Sequence, residues 1–79
     1  MTTARIRDLC AVVAQALDVP ADTITPAASA ENTPKWTSLT HLQVLLAVEG
    51  RFGVRFATAD IPDLTSVAVL AERLNIRPD

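Results

Sequence analysis

Apolar residues return at three- and four-residue steps at the start of the chain: Ile6, Leu9, Cys10, Val13, Ala16 and Leu17, with Arg7, Asp8, Ala11, Gln15 and Asp18 falling mostly on the other side. That spacing predicts an amphipathic helix over about 3–17. The period is then lost across 18–36, where Pro20, Pro26 and Pro34 stand among Thr, Ser, Asp and Asn, the composition of a loop. An irregular connection of that length in a short chain has to be tied down, and Ile24 and Trp36 are its apolar anchors. The pattern resumes more densely over 37–52. There Leu39, Leu42, Leu45, Leu46, Val48 and Phe52 cover well over half of a helical wheel, with Val44 at the margin and Thr40, Gln43, Ala47, Gly50 and Arg51 as a narrow outer strip. This predicts a central helix that is nearly surrounded, with Leu42 and Leu45 in the core and Gly53 supplying the left-handed residue that ends it.

Beyond Phe56, the segment "ATADIPDL" allows one short helical turn, 58–62, with Ile61 and Leu64 turned inward. Thr65 suits an N-cap, and Val67, Leu70, Ala71 and Leu74 form the stripe of a last helix over about 65–75. The expected fold is therefore all-α: a small four-helix bundle, three main helices plus one short helix, with a long first loop and no sheet.

Composition narrows the function. With 79 residues, 49% of them hydrophobic, 4% aromatic and 20% charged, the chain fits one globular, aliphatic domain. A formal charge of -2 offers no excess of cations to displace counterions from a nucleic-acid backbone, so no nucleic-acid partner is expected. Arg5, Arg7 and Asp8 interrupt the N-terminus where a signal peptide needs its apolar stretch, and no run reaches membrane-spanning length. A cytoplasmic, monomeric, free-standing domain with no membrane partner is the expectation. One Cys and one His are too few for a structural zinc site, and Cys10, inside the apolar stripe, reads as a small buried hydrophobe.

The candidate chemistry centres on "KWTSLTHLQVLLAVEGRFG", which opens the second helix. Ser38 and His41 are three residues apart, so on a helix their side chains can approach, but a nucleophile and base would still need a third group and a concave site that so small a bundle hardly provides. The chain is therefore expected to be non-catalytic. Ser38 has another use. A hydroxyl at the start of a helix, after an exposed loop, lies where unpaired N–H groups and the helix dipole favour a covalent phosphate. Capping by Thr37 or Ser38 explains the same residues more simply, although Thr37 can cap while Ser38 presents its hydroxyl.

The run "WTSLTHLQVLLAVEGRFGVRF" resembles the recognition helix of acyl carrier proteins, the phosphopantetheine-binding family, in which Asp-Ser-Leu opens a helix ending in Glu-Glu-Phe-Gly. The likeness covers nearly the whole chain: the first helix, "VPADTITP" opening the loop, "ENTPKWTSL" leading to the serine, Phe52 and Gly53 closing the helix, then a short turn and a last helix. Trp36 and His41 are similar to those of discrete carriers reading Trp-Asp-Ser-Leu-x-His. The resemblance implies that Ser38 accepts 4'-phosphopantetheine from coenzyme A through a separate phosphopantetheinyl transferase. It further implies that the arm carries acyl or aminoacyl groups as thioesters between loading and processing enzymes of a polyketide, nonribosomal-peptide or fatty-acid-related pathway. Trp36, Thr37, Leu39, Thr40, His41, Gln43, Leu46 and Glu49 are then the residues placed to meet partners.

Two departures from the family pattern matter. Thr37 stands where the family usually has Asp, and the outer strip, with Thr40, Gln43, Gly50 and Arg51, keeps Glu49 as its main acid, so charge steering is expected to be weak. Recognition is then expected to lean on Leu39, Leu42, Leu46 and Val44, with burial in the core as the competing and preferred reading for Leu42 and Leu45. Ala30 replaces a loop-pinning Phe, which either loosens the loop or hands its anchoring to Trp36. The alternative reading is a carrier-like helical protein-interaction module that is no longer modified.

Overall fold

The computed structural model describes residues 6–76; positions 3–5 of the predicted first helix lie outside them. The chain is mostly helical, with no strands among the described residues. Helix α1 spans Ile6–Leu17, α2 Ser38–Phe52 and α3 Val67–Arg73, and 3-10 segments occupy Ala21–Thr23 and Thr58–Asp63. The short element is thus a 3-10 segment, and it runs through Pro62 where the sequence predicted a stop. The loop contains a turn of its own that the lost periodicity concealed.

Helix α1 is the spine, packing against both α2 and α3. Two neighbours bury a wider arc than one stripe: besides Leu9, Cys10, Val13 and Leu17, it hides Val12 and Ala14, while Ala16 is only half-buried. Leu64, Val67, Leu70, Ala71 and Ile76 close the core from the C-terminal side.

All three helices end in the same way. Asp18, Gly53 and Asn75 take φ values of 59°, 67° and 58°. In each case the following apolar residue donates back across the last turn: Val19 to Ala14 at 3.0 Å, Val54 to Glu49 at 3.2 Å and Ile76 to Ala71 at 2.8 Å. Val19 and Val54 stay half-buried and Ile76 is buried, so a left-handed residue satisfies the terminal carbonyls and turns an apolar side chain toward the core. At α3 the N-cap is Ser66, not Thr65: the Ser66 hydroxyl accepts from Val69 N at 3.1 Å, and α3 is shorter than the predicted 65–75. Thr65 has another task, its carbonyl accepting from Ala30 N at 2.8 Å.

That bond helps to hold the long loop. Val67 N donates to the Ala28 carbonyl at 2.9 Å, forming with the Ala30 bond an isolated antiparallel bridge between Ser29 and Ser66. Asn32 folds the loop on itself, accepting from Ser29 N at 2.8 Å and donating to the Ala27 carbonyl at 3.0 Å. Ile24, Ala28 and Trp36 are buried as apolar anchors. The loop is therefore pinned by backbone pairing and by Trp36, with Ala30 half-buried against the core.

Helix α2 departs from its predicted setting. It is not surrounded: Val44, Leu45 and Val48 alone are buried, while Leu39, Leu42 and Leu46 are 86%, 52% and 58% exposed. Leu42 is thus a surface residue, and Val44, placed at the margin and among the recognition residues by its position on the wheel, is core. Thr40 and Ala47, assigned to the outer strip, are half-buried. The physical reason is the shortage of neighbours. Helix α1 covers one side, and the 58–63 segment is too short to blanket the other.

Candidate functional site

Ser38 is the first residue of α2 and lies on the surface. The residue before it does the capping. Thr37, extended at φ -108° and ψ 177°, accepts through Oγ1 from Leu39 N at 3.2 Å and Thr40 N at 3.3 Å. Thr40 answers by accepting from Thr37 N at 2.8 Å, a reciprocal capping box with Thr in the place of the usual Glu or Gln. The Thr40 hydroxyl proton goes to the Lys35 carbonyl at 2.6 Å. Each threonine oxygen is thereby engaged. Among the described residues neither the Ser38 hydroxyl nor its backbone N–H has a hydrogen-bond partner. Capping and presentation are divided between two adjacent side chains.

His41 does not turn toward Ser38. The Trp36 indole N–H donates to His41 Nδ1 at 3.0 Å, and His41 Nε2 lies 2.7 Å from the Ile61 carbonyl oxygen. Because an indole N–H is only a donor and a carbonyl oxygen only an acceptor, the imidazole proton is on Nε2. Both nitrogens are committed, so Ser38 and His41 are not assembled as a nucleophile and its base. The Trp36 and His41 rings sit tilted with centroids 6.2 Å apart.

The remaining residues assigned to recognition separate into two groups. Leu39, Gln43 and Leu46 lie open on α2, as do Thr37 and Ser38 at its start. Leu39, Leu42 and Leu46, at steps of three and four, make an apolar stripe that starts next to the serine. Trp36, by contrast, is 2% exposed and lies beneath the surface, where no partner reaches it; Thr40 and His41 are half-buried and engaged. Glu49 is half-buried, and its Oε2 accepts from Phe56 N at 2.8 Å, holding the segment after α2 against the helix end. The acid expected to face partners thus has an internal task. Leu42 is the surface residue that the sequence assigned to the core; its place three residues after Leu39 was the available signal.

No group of three or more metal-ligating side chains occurs among the described residues. Burial pushes the Cys10 thiol up from the ordinary value, a backbone hydrogen bond opposing only in part. A groove of about 480 Å³ between the start of α1, the long loop and α3 is lined by Ile6, Pro26, Ala71 and Ile76 among others. It contains no residue of α2 and so does not serve Ser38. The chain matches no family model and no curated protein.

Proposed function

We propose that this chain is a carrier protein of the acyl carrier type, bearing 4'-phosphopantetheine on Ser38 and passing thioester-bound intermediates between the enzymes of a polyketide, nonribosomal-peptide or fatty-acid-related pathway. The observation that carries this reading is the unpartnered, exposed Ser38 hydroxyl at the head of a helix that Thr37 already caps. An otherwise idle serine there is free to form a phosphodiester, and its N–H together with the positive end of α2 favours the charge. When bound, the arm supplies a terminal thiol that holds acyl or aminoacyl groups. This chain's residues present the attachment oxygen, keep the first turn rigid and offer partners a surface. Tethering raises the effective concentration of cargo at a docked enzyme, so the carrier needs no catalytic centre of its own.

Recognition by the transferase and by loading enzymes rests on the Leu39, Leu42 and Leu46 stripe, flanked by Thr37 and Gln43. With Thr37 uncharged and Glu49 engaged, apolar contact outweighs charge at this face. The same features favour a second reading, an unmodified helical protein-interaction module.

The two readings part in one experiment. Purified protein is incubated with coenzyme A and broad-specificity phosphopantetheinyl transferases, including one from the same genome, and weighed by intact mass spectrometry. A gain of one phosphopantetheine that vanishes in Ser38→Ala is expected. Absence of any gain with all the transferases would sink the carrier reading and leave the interaction module.

A further inference from the structure

We infer that His41 is a positioning residue for arm transfer to Ser38, acting through Trp36 and Ile61; the inference rests on the carrier reading above. In that transfer the bond from Ser38 Oγ to phosphorus forms as the phosphoanhydride bond to the adenosine 3',5'-bisphosphate half of coenzyme A breaks. That half leaves, and the hydroxyl proton passes to a base on the transferase. The carrier contributes the placement of one oxygen.

The placement is built from both sides of the serine. Two residues before it, the Trp36 ring is held in the core, and its N–H, once out of water, needs an acceptor. Three residues after it, His41 supplies that acceptor at 3.0 Å. The hydrogen bond closes 36–41 into a ring with Ser38 on its rim; the Thr37–Thr40 bond braces the backbone within it and the Lys35–Thr40 bond ties it to the residue before. The imidazole cannot swivel, because Nε2–H is tied to the Ile61 carbonyl at 2.7 Å, an oxygen that also accepts from Leu64 N at 3.2 Å. Leu64 is fully buried. The turn that presents Ser38 is thus anchored to the core at two points, through Trp36 and through the 58–63 segment. Reactions that depend on the attitude of one oxygen lose rate steeply when it is loosened.

The test separates positioning from plain stability. His41→Asn keeps an acceptor near Nδ1 for Trp36, His41→Gln keeps a donor near Nε2 for Ile61, and His41→Ala removes both. Transfer kinetics are measured with one transferase at a temperature where every variant tested is folded, alongside hydrogen exchange of the single indole N–H in nuclear magnetic resonance spectra. In His41→Ala the indole N–H is expected to exchange faster and kcat to fall about tenfold, with KM within about twofold because the leucine stripe is untouched. Asn and Gln should each recover part of kcat. If His41→Ala fails to fold, Asn and Gln carry the test by the same criterion of kcat below wild type. An unchanged kcat beside a faster-exchanging indole would overturn the positioning role and leave His41 as packing alone, as would a loss confined to KM. A wild-type protein that accepts no arm fails differently: it removes the carrier reading, and the inference with it.

Discussion

Thr37 and Thr40 cap each other: the Thr37 N–H reaches the Thr40 hydroxyl at 2.8 Å, and the Thr40 N–H returns to the Thr37 hydroxyl at 3.3 Å. Thr37→Ala removes the cap from two N–H groups and should cost about 1 kcal/mol in urea unfolding. Thr37→Asp keeps an acceptor and adds a negative charge at the dipole's positive end, so its stability should match or exceed wild type by up to about 1 kcal/mol. On the carrier reading it should also accept the arm faster. A slower transfer in Thr37→Asp would show that the partner enzymes prefer the neutral residue.

Leu45 and Leu46 are neighbours in sequence and opposites in setting, 2% and 58% exposed. Leu45→Ala opens a hole in the core and should cost about 2–5 kcal/mol, a large share of the total stability of a small domain. Leu46→Ala should change stability by no more than about 0.5 kcal/mol and, on the carrier reading, weaken binding to a transferase. Equal losses in chemical denaturation would contradict the orientation of α2.

The two glycines should respond with opposite signs to the same change. A Cβ at Gly50 or at Gly53 would meet nothing within 4 Å, but Gly53 has φ +67°. Gly50→Ala therefore gains helix propensity, about 1 kcal/mol, whereas Gly53→Ala puts a side chain in left-handed backbone and loses about 1–2 kcal/mol. Thermal unfolding of the two variants reads both signs at once.

On the carrier reading, Cys10 gives a thiol count that separates unmodified protein from protein bearing the unacylated arm. Its raised pKa keeps the thiolate scarce, so a disulfide reagent at mildly alkaline pH should react slowly with unmodified protein and fast with one thiol per chain once an arm is attached. The folded pKa lies above the ordinary value of 9.0, and the native state therefore holds its proton where the unfolded chain releases it. The contribution of this group to stability is fully present below that ordinary value and is lost as pH rises through the folded pKa. Cys10→Ser should flatten that alkaline decline, measured as urea midpoints across the range.

Much of the helical order was legible because it is written in local chemistry. The three- and four-residue steps from Ile6 to Leu17 located α1, Gly53 ended α2 within one residue, and Ile24 and Trp36 were recognisable as anchors because apolar residues in a Pro-rich loop have few other uses. Asp18 and Asn75 end their helices as Gly53 does, each followed by an apolar residue. That pairing is present in the sequence, but a left-handed Asp or Asn is a weaker signal than Gly. The Ser66 cap is hidden for a related reason: Thr65 and Ser66 are equally able to cap, and the choice falls to the bridge that draws the Thr65 carbonyl to Ala30.

The sequence by itself determined that the chain forms helices, where the first two of them end, and that Ser38 heads the second, because capping and periodicity act over one or two turns. Which leucines of α2 are buried was decided only by tertiary structure. A helical wheel shows how wide the apolar arc is and says nothing of how many neighbours exist to cover it. The same holds for His41: its spacing from Ser38 allowed a pair, but its nitrogens were claimed by Trp36 and by Ile61, the latter twenty residues away, and a contact of that range is set by packing.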